Sequence, residues 1–350
     1  MRTAAGRYHR IGDTISMRWV IGLLAAVLTF APLSAETVLP GVRPVAITVA
    51  AVPIESFDPR DPSQRRFGAL QFRGGLQLTS NHANFGGFSS IRVAPDGHFI
   101  SASDKGRWLR GRIVYRGERP VAIADAEMAP ILGPDGRPLI ARGWYDTESI
   151  AQDGDTLYVG IERVNRIVRF DYGRDGLLAR GEPIPVPEGI AKLPRNQGLE
   201  AMAFVPAGLP HAGALIAVSE RGLDAHGNIR AFLLEDGAWR AFEVMRRDDF
   251  DVSDCAVTPA GDLLLLERRF GWTSGLAIRI RRISLAKLGA DALVDGPALF
   301  QADLGYQIDN MEGLSVHRDD ADNVVLTLIS DDNFSLLQRT LLLQFTLLPE

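Results

Sequence analysis

One sequence pattern recurs along the chain every 52 to 59 residues. It is clearest from residue 196 to residue 237, where three short apolar runs, AMAFV, ALIAVSE and IRAFLLE, are separated by Pro, Gly, His and Asp. Runs of this length and alternation are typical of neighbouring antiparallel strands. A unit of several short strands that repeats at this interval is typical of the blade of a β-propeller.

Acidic residues stand at two fixed places in the repeat. One set opens the first apolar run of each copy, with a serine in the weakest copy: Ser89, Glu148, Glu200, Asp254 and Glu312, at steps of 59, 52, 54 and 58 residues. The other set closes the second run and is mostly followed by a basic residue: Asp104, Glu162, Glu220, Glu267 and Asp331. Five copies predict five blades.

We therefore predict an all-β fold, a single β-propeller of five four-stranded blades. An extra apolar run at residues 45–52 leaves a rudimentary sixth blade open as an alternative. The last copy is one strand short, so we expect residues 67–80 to supply its outer strand. Pairing of the N-terminal and C-terminal strands would then close the ring.

Residues 1–35 are predicted to be a signal peptide, and residues 36–350 the propeller domain. A charged start, the apolar run from Val20 to Phe30 and small residues before Ala35 form the secretory pattern. Met17 is an alternative start of the chain. The apolar run is too short to span a bilayer, which needs about 20 residues, so we expect a periplasmic or secreted protein without a stable membrane anchor.

The composition of the chain limits the classes of molecule that it is expected to bind. The formal net charge is −5, with no basic excess of the kind that nucleic-acid binding requires. The single cysteine, Cys255, excludes an internal disulfide, so the hydrophobic core must hold the fold. We expect a monomer that binds a small molecule.

The first acid set predicts a metal site. In a propeller the first strand of each blade lines the central channel, so these acids would converge at one channel mouth. Several carboxylate oxygens on a flexible ring suit Ca²⁺, which takes six to eight oxygen ligands. The predicted ligands are Glu148, Glu200, Asp254, Glu312, Glu220 and Asp331. The alternative is structural, with each acid bonded to backbone amides of the next blade or paired with an arginine.

The acid–base pairs at the end of the second run leave two arrangements open. Adjacent residues on a strand point to opposite faces, so the acid and the base of one pair cannot both face the channel. Arginines that reach the rim would offer planar donors to phosphate or carboxylate oxygens. Arginines that point between blades would form ion pairs instead.

Several segments resemble one known family. The run Ser330-Asp-Asp-Asn-Phe334 followed by Gln338-Arg-Thr-Leu-Leu-Leu-Gln-Phe345 is similar to the C-terminal signature of the esterase-like phytase family, a group of exported bacterial propellers. Further similar segments are Asn310-Met-Glu-Gly-Leu, Asn196-Gln-Gly-Leu-Glu, Leu266-Glu-Arg-Arg-Phe and Ser103-Asp-Lys-Gly. The resemblance implies a propeller that binds calcium and hydrolyses an ester.

The predicted function is hydrolysis of an ester, a phosphoester rather than a carboxylic ester, by a metal-held water at the channel rim. The candidate catalytic residues are Glu200, Glu312, Arg221 and Arg268, with an arginine orienting the substrate. Two alternatives remain from other classes of function. One is a propeller that binds a ligand or protein without catalysis, and the other is a lactonase-like carboxylic esterase.

Overall fold

The computed structural model describes residues 42–271 and 275–349, and these belong to one unit, Val38–Glu350. The prediction for residues 1–35 lies outside this part of the chain. The strands are β1 Val45–Ala46, β2 Ala50–Ile54, β3 Arg66–Phe67, β4 Leu70–Thr79, β5 Phe88–Val93, β6 His98–Ser103, β7 Arg107–Arg116, β8 Arg119–Pro130, β9 Thr147–Asp153, β10 Thr156–Ile161, β11 Arg166–Asp171, β12 Glu182–Ile184, β13 Leu199–Phe204, β14 Leu215–Leu223, β15 Ile229–Glu235, β16 Ala238–Val244, β17 Asp251–Val257, β18 Asp262–Gly271, β19 Gly275–Ser284, β20 Leu293–Val294, β21 Ala298–Asp303, β22 Met311–Arg318, β23 Val324–Ser330 and β24 Thr340–Leu347.

Helical structure in the described residues is limited to short connectors. The α-helical turns are α1 Tyr172–Asp175 and α2 Glu188–Ala191, and the 3-10 turns are Leu139–Arg142, Glu162–Val164, Gly176–Leu178 and Leu285–Lys287. Within the ranges that the structure describes, no helix is long and apolar enough to cross a membrane.

The strands form five sheets, which confirms the predicted five-bladed propeller. The core of each blade is a four-stranded antiparallel meander: β5 to β8, β9 to β12, β13 to β16, then β17, β18, β19 and β21, and finally β22, β23, β24 and β4. The innermost strands β5, β9, β13, β17 and β22 contact one another around a ring. The architecture follows from the repeat, because each unit buries its apolar faces only against its neighbours.

The ring is closed as the sequence predicts. Strand β4 pairs antiparallel with β24, so an N-terminal strand completes the blade that carries the C-terminal end. Residues 45–52 do not form a sixth blade. Strand β1 pairs with the outer strand β8 of the first blade, and β2 pairs with β4 in the fifth.

Apolar side chains from neighbouring blades pack together in five clusters. One example joins the fourth blade to the fifth through Leu264, Ile278, Leu314 and Leu326, all of which are fully buried. Burying a side chain of this kind contributes about 1.5–3 kcal/mol. The interfaces between blades therefore hold the polar groups of the central channel in fixed positions.

Candidate active site

A β-bulge in every innermost strand places one residue of each blade at the channel. In all five blades the register between the first and second strands shifts at one position. A bulge re-aims a side chain and is frequent next to functional sites. The residues at the five bulges are Ser89, Glu148, Glu200, Ser253 and Glu312. We call them the inner ring.

A second set of equivalent positions follows the end of each second strand. The backbone amides of Asp104, Glu162, Glu220 and Asp331 each donate to a carbonyl oxygen just before the innermost strand, at 2.8–2.9 Å. In the fourth blade Arg268 occupies the equivalent position, opposite Asp251 in the ladder. We call Asp104, Glu162, Glu220, Arg268 and Asp331 the outer ring.

The fourth blade corrects the sequence alignment by one residue. Its bulge falls at Ser253, not at Asp254, and its outer-ring position falls at Arg268, not at Glu267. Because side chains alternate along a strand, a slip of one residue moves a side chain to the other face. Glu267 accordingly lies inside the blade, fully buried, and accepts hydrogen bonds from Arg279 at 2.7 Å and Arg281 at 2.9 Å.

The two rings meet in one pocket of about 400 Å³ at the channel mouth, which we call the acid pocket. Five of the six predicted metal ligands line it, namely Glu148, Glu200, Glu220, Glu312 and Asp331. Two of the four predicted catalytic residues, Glu200 and Glu312, are among these five, and Arg268 is a third. The structure thus brings together most of the residues that the repeat predicts.

Two predicted residues lie elsewhere. Asp254 is fully buried deeper in the channel, where it pairs with Arg92 at 3.1 Å and accepts from the amide of Leu314 in the next blade at 2.7 Å. This is the structural role that the sequence left open. Arg221 points away from the pocket and donates to Asp251 at 2.9 Å, because its neighbour Glu220 faces the channel.

Arg92 makes hydrogen bonds across the channel below the acid pocket. Its guanidinium donates to the carbonyl oxygens of Leu314 at 2.8 Å and Met202 at 2.7 Å, in addition to Asp254. One side chain of the first blade therefore ties together the third, fourth and fifth.

Arg268 is a mostly buried cation of the acid pocket, with a side chain that is 20% exposed. Its guanidinium pairs with Glu312, lies 3.3 Å from Glu220 and 3.9 Å from Glu200. Burial opposes its charge, but the carboxylates of Glu312, Glu200 and Glu220 raise the pKa of Arg268. The amide of Asn310 also donates to Glu312 at 2.8 Å. The fourth blade thus supplies a base where the other four supply acids.

Sequence reasoning missed several residues that line the pocket: Tyr145, Asp146, Arg163, Asn196 and Asn333. Asp146, Asn196 and Asn333 have φ of 59°, 61° and 48°. The left-handed region is uncommon for residues with a side chain, and Asn and Asp tolerate it best. An Asp or Asn in the loop beside each ring acid was the signal available in the sequence.

The acid pocket holds eight carboxyl residues against Arg268 and Arg163. Burial is the main cause of the raised pKa of Asp104, to about 6, of Glu162, to about 7, and of Asp331, to about 8. Burial and then the charge of neighbouring glutamates raise the pKa of Glu148 and Glu200 well above the usual value. Near neutral pH the pocket therefore holds protonated and ionised carboxyl groups side by side.

The free energy of unfolding is expected to fall as the pH rises from about 6 to about 8. Asp104, Glu162 and Asp331 have folded-state pKa values of about 6, 7 and 8, above their unfolded values. A carboxyl group with a raised pKa contributes stability that is fully present below its unfolded-state pKa, near 4. That contribution is lost as the pH rises through the folded-state pKa. Urea unfolding at pH 5 to 9 measures the slope.

A matched pair of variants tests this assignment. Asp331→Asn removes the group with the highest of these three pKa values and is expected to flatten the fall near pH 8. Asp153→Asn changes an exposed acid at the end of β9 and should leave the slope in this range unchanged. Stability that rises from pH 6 to pH 8 in the wild-type protein would contradict the placement of these acids.

Calcium fits the acid pocket by the chemistry of its donors. Carboxylate oxygens are the ligands that Ca²⁺ prefers, and Asp104 Oδ1 is buried without a hydrogen-bond partner. Glu200, Glu220 and Glu312 surround Arg268, so the ion would be held by Asp104, Glu148, Glu162 and Asp331. Among the described residues, no three His, Cys, Asp or Glu side chains form a ready metal site, so these carboxylates would have to move to bind it.

A family model described as "Phytase-like: Esterase-like activity of phytase" matches residues 83–334. The chain belongs to this phytase-like family. The match begins just before the innermost strand of the first blade and ends in the loop that carries Asp331 and Asn333, so it contains every residue of the two rings. The resemblance found in the sequence is confirmed, and this phytase-like propeller belongs to a family that is named for an esterase-like activity. A search of curated proteins finds no match.

Solved structures share the general shape of this phytase-like propeller at low identity. A glutaminyl cyclase from Myxococcus xanthus is 11% identical, with 80% of this chain and 97% of that one covered, at a TM-score of 0.43. The α-L-arabinofuranosidase PaAbf62A from Podospora anserina, in complex with cellotriose, is 11% identical, with 77% and 93% covered, at 0.49. No activity of this chain follows from likenesses at these levels.

Proposed function

We propose that this chain hydrolyses ester bonds, phosphoesters in preference to carboxylic esters, and that the acid pocket is its active site. The observation that carries the proposal is the mostly buried Arg268 among carboxyl groups with raised pKa, at the mouth of the channel. Planar guanidinium donors suit the oxygens of a phosphoryl or carboxylate group. The side chain of Arg268 is 20% exposed, so an incoming ester can reach it.

Protonation of the pocket is what admits an anionic ester. Eight ionised carboxylates would repel a phosphoester, but burial raises the pKa of Glu148 and Glu200 well above the usual value, which favours their protonated forms. Protonated carboxyls also donate hydrogen bonds to ester oxygens. The remaining positive centre, Arg268, then attracts the substrate.

The two predicted catalytic acids suit different proton transfers. Glu200, whose protonated form is favoured by burial, can donate its proton to the leaving oxygen as the bond between phosphorus and that oxygen breaks. Glu312 accepts hydrogen bonds from Arg268 and Asn310, which hold it as an oriented carboxylate that can take a proton from the attacking water. A calcium ion held by Asp104, Glu148, Glu162 and Asp331 would displace protons from these carboxyl groups on binding, and it would neutralise phosphoryl oxygens and lower the pKa of bound water.

We expect hydrolysis of p-nitrophenyl phosphate that exceeds hydrolysis of p-nitrophenyl acetate, measured by release of nitrophenolate. Each substrate is assayed after treatment with a chelator and after calcium is added back. Loss of activity with chelator and recovery with calcium would support the role of calcium in hydrolysis. Equal activity in both conditions would remove calcium from the proposal and leave the carboxyl groups and Arg268 as the whole machinery.

Two outcomes would replace the proposal. Turnover of the acetate and of lactones alone would favour the lactonase-like carboxylic esterase. No turnover of any ester, together with a ligand-induced rise in melting temperature, would favour the propeller that only binds. Export to the periplasm or medium and a monomeric state stay predictions from the sequence, checked by fractionation and by light scattering.

A further inference from the structure

A second pocket, of about 250 Å³, lies between the fifth and first blades at the other end of the strands, and we call it the distal pocket. Six of its lining residues matter here: Arg73, Tyr115, Glu118, His317, Asp319 and Gln344. His317 stands on β22, five residues beyond Glu312. At about 3.3 Å per residue the two lie roughly 17 Å apart along the strand. The distal pocket is thus separate from the acid pocket.

Two buried polar atoms in the distal pocket have no partner. Gln344 is fully buried, and its Nε2 donates to Tyr115 Oη and to Thr327 Oγ1, both at 2.9 Å. Its Oε1 has no hydrogen-bond partner, and neither has Nδ1 of His317, a residue that is 9% exposed. Leaving a buried polar group unsatisfied costs free energy. A bound molecule with hydroxyl groups would recover that energy.

The charges around the distal pocket disfavour a charged ligand. Arg73 pairs with Asp319 at 2.8 Å and lies 3.8 Å from Glu118, and Asp320 also lines the pocket. Burial, and then the charge of Arg73, lower the pKa of His317 to about 4. The same effects that keep His317 neutral oppose an ammonium group, and the three carboxylates oppose an anion.

We propose that the distal pocket binds a small neutral polyol of about monosaccharide size. Its hydroxyl groups would donate to Gln344 Oε1 and His317 Nδ1, and the ring of Tyr115 would give it an apolar surface. The volume lies just below the roughly 300–1,000 Å³ of pockets for drug-sized ligands, which fits a single sugar ring. This site is independent of the proposed hydrolysis.

The test is isothermal titration with matched ligands. Glucose, galactose, arabinose and myo-inositol are the neutral probes, while glucosamine and glucuronate carry one charge on the same ring. We expect at least one neutral probe to bind, and the charged analogues to bind at least tenfold more weakly. Binding of no neutral probe, which would mean that the pocket holds only water, or equal binding of the charged analogues, would overturn the proposal.

Variants test whether the neutral probe binds in the distal pocket. Gln344→Leu is expected to weaken binding at least tenfold without changing ester hydrolysis, whereas Gln301→Leu, the same change at an exposed position on β21, should leave both unchanged. If Gln344→Leu does not fold, Ala321→Tyr narrows the pocket from an exposed lining position. Unchanged binding in both folded variants would place the ligand elsewhere and reject the distal pocket.

Discussion

Replacing Arg268 with methionine is expected to abolish ester hydrolysis and to lower the free energy of unfolding by about 3–5 kcal/mol at pH 8. The change removes the cation that pairs with Glu312 and lies beside Glu220 and Glu200. Ionised carboxylates are then left buried without a partner. At pH 5 these groups are protonated to a greater extent, so we expect a smaller loss of stability. Urea unfolding at the two pH values measures both effects.

Arg221→Met is the matched control. Arg221 occupies a strand end in the third blade, pairs with Asp251 and has a side chain that is 43% exposed. Asp251 is buried, but Arg246 also donates to it at 2.8 Å, so the loss of Arg221 does not leave this carboxylate without a partner. The control should therefore keep its hydrolytic activity and nearly all of its stability. Hydrolysis retained by Arg268→Met, or lost equally in Arg221→Met, would refute the role given to Arg268.

Asp254→Ala should destabilise the fold by about 3–5 kcal/mol, because it leaves the charge of Arg92 without a counter-ion and the amide of Leu314 without an acceptor. Burial raises the pKa of Asp254 to about 6 although Arg92 lowers it, so desolvation is the larger effect on this carboxyl. The loss of stability comes from Arg92 and the amide of Leu314, which no longer have a partner. Chemical denaturation of the variant measures it.

A double-mutant cycle measures the interaction energy of Arg92 and Asp254 separately from their other contacts. Arg92→Met alone also loses the hydrogen bonds to the carbonyl oxygens of Met202 and Leu314. Combined with Asp254→Ala, it should cost less than the sum of the two single changes, since neither charge is then left alone. Strict additivity would show that Arg92 and Asp254 do not interact as the structure places them.

Much of the fold could be predicted because its signals are local and repeated. Alternating runs, turn residues and acids at a steady interval indicated five blades, and the strand missing from the last copy indicated closure by β4. The rings were less predictable. A bulge inserts one residue without any mark in the sequence, so Asp254 was aligned where Ser253 belongs.

Other parts of the site depend on contacts that are distant in the sequence. Glu267 is drawn into its blade by Arg279 and Arg281 of the next strand, and this leaves its neighbour Arg268 at the channel. Nothing in the pair Glu267-Arg268 distinguishes it from Glu220-Arg221, where the acid takes the channel position. The ion pairs available within each blade decide which member of the pair, the acid or the arginine, faces the channel.

The position of Arg268 in the acid pocket has a kinetic consequence. The proposed reaction assigns binding of the ester to this one guanidinium, so a product released there must leave before the next ester can bind. Under the proposed hydrolysis, the phosphate or acid product and the fresh ester compete for one guanidinium. Inhibition by product should then be competitive with the ester, and release of the product would limit the rate of turnover.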